Sequence, residues 1–171
     1  IDNNNASARG GAVYFGATAN VGDVAELVNN LVTFNQATGT GIGGGYLVEG
    51  KPLTGLLALE MGHIRIPHDF ALDPFPGNCP FHRDCFEGLA NGPAIQKRFG
   101  ARGESIRDDD PFWDVEAGYI ASALVNYILT LSPKKIVLGG GVMAREYLFP
   151  KVRRKVRELL NGYVIHPSLL T

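Results

Sequence analysis

The chain has 171 residues, 45% of them hydrophobic, with a formal net charge of −1 and two cysteines. That length suffices for one good-sized domain with its own core. The balanced charge gives no basic surface for nucleic acid and no charged tail that would favour disorder. No apolar run is long enough to span a bilayer, and the opening IDNNNASARG lacks the basic and apolar regions of a signal peptide. The expected compartment is the cytoplasm, where thiols stay reduced and available to metal.

In chain order, Asn3 to Asn5 read as a turn or helix N-cap, and Ala6 to Phe15 as a small-residue helix weakened by Gly10 and Gly11. Val21 to Asn30 reads as a short helix or loop, and Leu31 to Phe34 as a strand. Gly39-Thr-Gly-Ile-Gly-Gly-Gly45 follows. It contains a GxGxxG spacing, but a dinucleotide fingerprint needs a helix directly afterwards. Tyr46 to Val48 instead reads as a strand and Glu49-Gly50-Lys51 as a turn, so the segment is a glycine-rich β-hairpin. Exposed amides in such a loop can cradle phosphate oxygens.

Glu60-Met-Gly-His63 places a carboxylate and an imidazole three residues apart. They can face one site and bind either hydroxyl groups or a metal. The stretch to Glu87 holds both cysteines and three of the four histidines. Cys79, His82 and Cys85 lie at three-residue steps, with His63 or His68 as the nearest fourth ligand. Thiolate and imidazole are the usual partners of tetrahedral zinc, and a closed four-ligand site is structural. His68, if it is not a ligand, is expected to be a solvated loop histidine. Glu87 follows the cysteines closely, at the start of a helix over Gly88 to Arg98 that Gly92-Pro93 interrupts.

Arg102 to Asp110 is polar and reads as a loop. Phe112 to Leu131 has the strongest helical periodicity, with apolar positions at Val115, Tyr119, Ile120, Ala123, Leu124, Tyr127, Ile128 and Leu131, and stops at Ser132-Pro133. Lys135 to Leu138 reads as a short buried strand, Gly139 to Gly141 as a sharp turn, and Arg145 to Leu160 as a basic amphipathic helix. The basic run Lys151 to Arg157 reads as a solvated face. Helix, strand, glycine turn and helix in succession form part of a parallel α/β layer. In such a layer, ligands bind beyond the C-terminal ends of the strands.

The order GTGIGGG, EMGHI, CPFHRDC-FEGLA-GPA and IVLGGGVM resembles the ROK family of sugar kinases. It is most similar to the zinc-containing bacterial fructokinases. The resemblance implies an α/β fold of the ribonuclease-H-like, actin and hexokinase type. It also implies transfer of the γ-phosphoryl group of MgATP to a hexose, fructose above all. By position, Glu60, His63 and Glu87 would hold the sugar. His63, Cys79, His82 and Cys85 would bind a structural Zn2+ that stiffens the loop 63–87. Gly39, Thr40, Gly41 and Gly43 would receive ATP phosphates with Mg2+, and Gly139, Gly140 and Gly141 would lie on the adenosine side. The opening matches the segment carrying the catalytic base.

The family's motif puts Asn3 at that base position, with Asp2 one residue early. Asparagine can hold a hydroxyl but cannot deprotonate it. Gly11 stands where the family often has Glu, and Leu57-Ala58-Leu59 replaces smaller or polar residues. On these grounds residues 1–171 are expected to form a single domain equivalent to the family's C-terminal lobe. The N-terminal lobe, of about a hundred residues, would be missing or supplied by another chain. Family members are often dimers, so a homodimer is a further expectation. The alternative is a non-catalytic, zinc-stabilised domain that binds sugar or mediates dimerisation. A sugar-sensing half of a repressor would require a helix-turn-helix, and the sequence shows none.

Overall fold

The computed structural model describes the backbone of residues 31–35 and all of residues 41–166. The predicted helix Ala6–Phe15, the segment Val21–Asn30, and Asp2, Asn3, Gly39 and Thr40 lie outside the described residues. Four strands form one sheet: β1 (Leu31–Asn35), β2 (Gly43–Val48), β3 (Lys51–Pro52) and β4 (Lys135–Leu138), in the order β3-β2-β1-β4. β1 pairs antiparallel with β2 and parallel with β4.

The predicted hairpin exists, but its strand begins earlier than Tyr46. Gly43, Gly44 and Gly45 lie opposite Asn35, Phe34 and Thr33 in the ladder. Their backbones pair as any residue's would, so the glycine run is half strand. Phe34 also lies opposite Leu138 on the other side. The start of β2 and the glycine turn after β4 therefore sit at the same end of the sheet. That end is the C-terminal one for the parallel pair β1 and β4.

Two helices pack over this layer. α3 (Phe112–Leu131) buries Phe112, Trp113, Tyr119, Ile120, Ala123, Leu124 and Tyr127, as its 3.6-residue period dictates. It ends at Leu131, two residues before Pro133, where Ser132 turns left-handed (φ 46°) and donates its amide to the Ile128 carbonyl. α4 (Leu148–Leu160) starts three residues later than its charge pattern suggests. A 3-10 turn, Val142–Ala144, comes first. Arg145 is drawn out of helical register: its guanidinium lies 4.5 Å over Trp113 and donates to the carbonyls of Gly103 and Ile106. The apolar stripe Leu148, Phe149, Val152, Val156 and Leu160 of α4 is buried. On its polar side Lys151 and Arg154 pair with Asp114 of α3.

The helix predicted over Gly88 to Arg98 is two helices, α1 (Phe86–Ala90) and α2 (Gly92–Phe99). Asn91 divides them. Its backbone is extended and its side chain accepts the Ala94 amide at 2.7 Å, capping α2 with Pro93 in the first turn. No helix among the described residues is long and apolar enough to cross a membrane.

Candidate metal and substrate site

The segment 61–88 has little regular structure and is held by short cross-links. Met61–His63 forms one 3-10 turn. Isolated bridges join Arg65 to Cys85 and Cys79 to Arg83, and the Phe86 amide bonds the Ile64 carbonyl. Arg65 donates to the His82 carbonyl at 2.6 Å and pairs with Asp84 at 2.7 Å. His68 is not solvated, contrary to expectation: its side chain is 3% exposed, with Nε2 2.9 Å from the Asp73 carbonyl oxygen and Nδ1 3.5 Å from Asp84. Its ring packs against Phe70 and Tyr119, and it is not one of the four clustered ligand residues.

The ligand atoms of His63, Cys79, His82 and Cys85 all lie within 4.8 Å of one another. His63 Nδ1 is 3.7 Å from the sulfur of Cys79 and 3.7 Å from that of Cys85, and His82 Nδ1 is 3.8 Å from Cys79 Sγ. Zn–S and Zn–N bonds of ordinary length at a tetrahedral angle put S and N about 3.6 Å apart. The cluster has the size and donor chemistry that zinc requires. Both cysteines are free and buried.

Burial works against ionisation of Cys79, but the amides of His82 and Phe81, with Cys85 and His63, bring its thiol below the ordinary value. Burial also pushes the Cys85 thiol up to about 11, and the neighbouring Cys79 adds to the effect. Without a cation between them, the two sulfurs oppose each other's ionisation. A divalent ion removes that conflict by expelling the second proton.

His63 is two-faced. While Nδ1 addresses the sulfurs, Nε2 lies 4.0 Å from Glu60 and 3.9 Å from Glu87. These distances are too long for direct hydrogen bonds, so among the described residues the two carboxylates converge on the imidazole edge without bonding it. Glu60 is exposed, with a side chain at 74% of full accessibility, whereas Glu87 is held at 17%. Glu87 is fixed by its other oxygen, which accepts the Ile42 amide at 2.7 Å. The site thus lies beside the glycine segment. A Cβ on Gly41 would stand 2.6 Å from the Glu87 carboxylate, so a side chain there would have to push that carboxylate aside.

Gly139 lines a small apolar cavity together with Ile42, Phe86, Ala90, Ile120, Leu138, Val142 and Met143. The two glycine segments thus meet across one cavity at the C-terminal end of β4. Gly140 takes a left-handed turn (φ 96°) there, and Gly141 opens the 3-10 turn that follows. Gly41 and Gly43 lie at this end of the sheet.

Sequence reasoning missed a buried polar network behind the metal loop. Arg98 makes a two-pronged pair with Asp73, at 3.2 and 2.9 Å, and also bonds the Leu89 carbonyl. The Tyr119 hydroxyl donates to Asp73 at 2.7 Å, and Glu116 lies fully buried nearby. Asp73 lies 25 positions from Arg98 and 46 from Tyr119, so no local pattern announces the network. The only signal was a charged residue, Glu116, on the apolar face of α3.

A family model described as the ROK family matches residues 10–170. Over 126 residues the chain is 49% identical to a putative fructokinase of Bacillus subtilis strain 168, covering 74% of this chain and 42% of that protein. A fructokinase of Lactococcus lactis subsp. cremoris is 42% identical over 159 residues, covering 91% of this chain and 54% of that protein. The chain spans about half the length of the curated relatives it matches.

Among solved structures, a ROK family glucokinase from Streptomyces griseus in complex with glucose and AMPPNP aligns with a TM-score of 0.63 at 23% identity, covering 83% of this chain and 55% of that one. A ROK hexokinase from Thermus thermophilus aligns with a TM-score of 0.62 at 24% identity, covering 78% and 49%. These likenesses establish a mixed α/β fold of the actin-like ATPase type.

Proposed function

This chain belongs to the ROK family, and on that premise we propose that it serves ATP-dependent phosphorylation of a hexose, with fructose as the substrate. The observation that carries the reading is the meeting of Glu60, His63 and Glu87 with the glycine segment at Ile42. Carboxylates accept hydrogen bonds from sugar hydroxyls, and backbone amides at a glycine-rich edge receive phosphate. One ligand set beside the other is what a phosphoryl transfer between sugar and nucleotide requires. Relatives at 42–49% identity carrying the name fructokinase favour fructose over other hexoses.

In this reading Glu60, His63 and Glu87 orient the sugar. Gly39, Thr40, Gly41 and Gly43 hold the phosphates of MgATP, and Gly139 to Gly141 border the adenosine. The hydroxyl oxygen of the sugar forms the new P–O bond, the bond from the γ-phosphorus to the bridging oxygen breaks, and ADP leaves. The hydroxyl proton goes to Asp2, since Asn3 can only hold the hydroxyl in place. Positioning and charge stabilisation do most of the work in such a transfer. Zn2+ on His63, Cys79, His82 and Cys85 would fix the loop that carries His63 and Glu87, and would take no part in the chemical step.

The test is ADP release by the purified chain with MgATP and a panel of fructose, mannose and glucose. Fructose-dependent turnover that disappears in Asp2→Asn is the expected result. Fructose binding without turnover would instead establish a non-catalytic sugar-binding domain. Neither binding nor turnover would overturn the reading.

A further inference from the structure

Glu87 touches two things at once. Its Oε2 accepts the Ile42 amide at 2.7 Å, and its Oε1 lies 3.9 Å from His63 Nε2. The other nitrogen of the same ring, Nδ1, lies 3.7 Å from both cysteine sulfurs. The backbone at Ile42 is closely approached on both sides. A Cβ on Gly41 would stand 2.6 Å from the Glu87 carboxylate, and a Cβ on Gly62 would stand 2.0 Å from the Ile42 carbonyl oxygen. Gly62 belongs to the same turn as His63. The backbone leading into β2 is therefore bonded at the Ile42 N–H by Glu87 and closely approached at the Ile42 C=O by Gly62, and both neighbours belong to the metal-binding segment.

We propose that Glu87 is a positioning residue that couples occupancy of the His63, Cys79, His82 and Cys85 cluster to the conformation of the glycine segment at Ile42. With Nδ1 engaged by a metal, His63 must carry its proton on Nε2, and that N–H turns the positive end of its dipole toward Glu87. The carboxylate is then aimed from one side and delivers its second oxygen to Ile42. With Nδ1 free, the ring can adopt the opposite tautomer and turn a lone pair toward Glu87, which repels the carboxylate and loosens its hold. The inference rests on the kinase reading for the identity of the ligand that profits, a nucleotide phosphate; the linkage itself stands on these contacts alone.

The experiment is amide hydrogen exchange followed by NMR on the zinc-loaded chain, the chelated chain and the zinc-loaded Glu87→Ala chain. The readout is exchange at Ile42 relative to Leu124 in the core of α3, so a general loss of stability does not imitate the effect. Chelation should speed Ile42 relative to Leu124 by about tenfold or more, as a local opening would. Zinc-loaded Glu87→Ala, which keeps all four ligands and its metal, should do the same. Should the chelated chain unfold outright, Glu87→Ala carries the test. Unchanged relative exchange at Ile42 in Glu87→Ala overturns the proposal, as does a folded chelated chain with Ile42 as protected as before.

A calorimetric titration with MgADP in the absence of sugar separates this role from sugar binding. Glu87→Ala should weaken MgADP by about tenfold, whereas a residue that only holds sugar would leave that affinity alone. If the unsubstituted chain binds no MgADP, the nucleotide reading fails while the exchange result still decides the linkage.

Discussion

Glu116 lies in the second turn of α3 with no surface exposure, and neither of its carboxyl oxygens has a hydrogen-bond partner among the described residues. Burial pushes its carboxyl up to about 8; Arg98 opposes that rise and Asp73 adds to it. The folded protein therefore keeps the acid neutral at pH 7, while the unfolded chain ionises it near the ordinary value of about 4.3. The stability tied to this group is complete below that value and is lost as pH rises toward the folded value. Asp73 behaves in the opposite sense. Burial disfavours its charge, but Tyr119 and Arg98 outweigh burial and hold it below the usual carboxylate range, so its contribution is lost only in acid. Urea unfolding at stepped pH should show stability falling between about pH 5 and 8, with a slope approaching about 1.4 kcal/mol per unit. Glu116→Gln should abolish the slope and be more stable than the unsubstituted chain at pH 8. A flat profile in the unsubstituted chain would show that Glu116 ionises normally in the fold.

At the scale of elements, α1 is too short to stand by itself. Five residues make barely one turn, and isolated helices of that length do not persist in water. It is held by what crosses it. Gly88 sits where a Cβ would lie 1.8 Å from the Arg83 carbonyl oxygen and 3.0 Å from Cys79 Cβ. Helix propensity favours Gly88→Ala by about 1 kcal/mol; the crossing loop forbids it. We expect the crossing loop to win, with a net destabilisation of about 2 kcal/mol or more and reduced metal content after dialysis. A gain in denaturation midpoint with metal content unchanged would refute the close approach.

The contrast between α3 and α1 shows what could be read from the sequence. The 3.6-residue period of α3, the β4 run and the glycine break after it are local, and they were legible as such. The grouping of Cys79, His82 and Cys85 was legible because three-residue steps in one loop leave the side chains little choice. What Gly62 and Gly88 do was not legible. Their partners, Ile42 and Arg83, reach them through folding of an irregular segment rather than through a period. The same holds for His68, which looks like a loop residue until Asp73 and Asp84 close over it, and for Arg98, whose partner Asp73 lies 25 positions away. The glycine run 39–45 misled in a smaller way: glycine weakens strands on average, so the ladder through Gly43 to Gly45 had no sequence signature.

For the whole molecule, the question is what the four-ligand cluster contributes that the core does not. The core of α3, α4 and the sheet has its own buried side chains outside that segment, Trp113, Leu124, Ile136, Leu148 and Val152, all essentially inaccessible. The segment 61–88 contributes few strand or helix bonds, and a metal joining His63 to Cys79 and Cys85 would close loops of 16 and 22 positions. Metal free energy would therefore act locally, yet it would reach α1, which packs on α3, and so register in global unfolding. At zinc a thousandfold above its dissociation constant, binding adds about 4 kcal/mol. For a domain of this size that corresponds to about 10 °C or more in melting temperature. The gain depends on pH, because the Cys85 thiol, pushed up to about 11, must release its proton when metal binds. Comparing loaded and chelated protein at the same pH cancels the Glu116 slope and isolates this term. The difference in melting temperature between loaded and chelated chains should be clear at pH 8, smaller at pH 6, and absent at both in Cys79→Ser. Equal melting temperatures at both pH values, or a larger gap at pH 6, would show that the cluster does not hold metal through its thiolates.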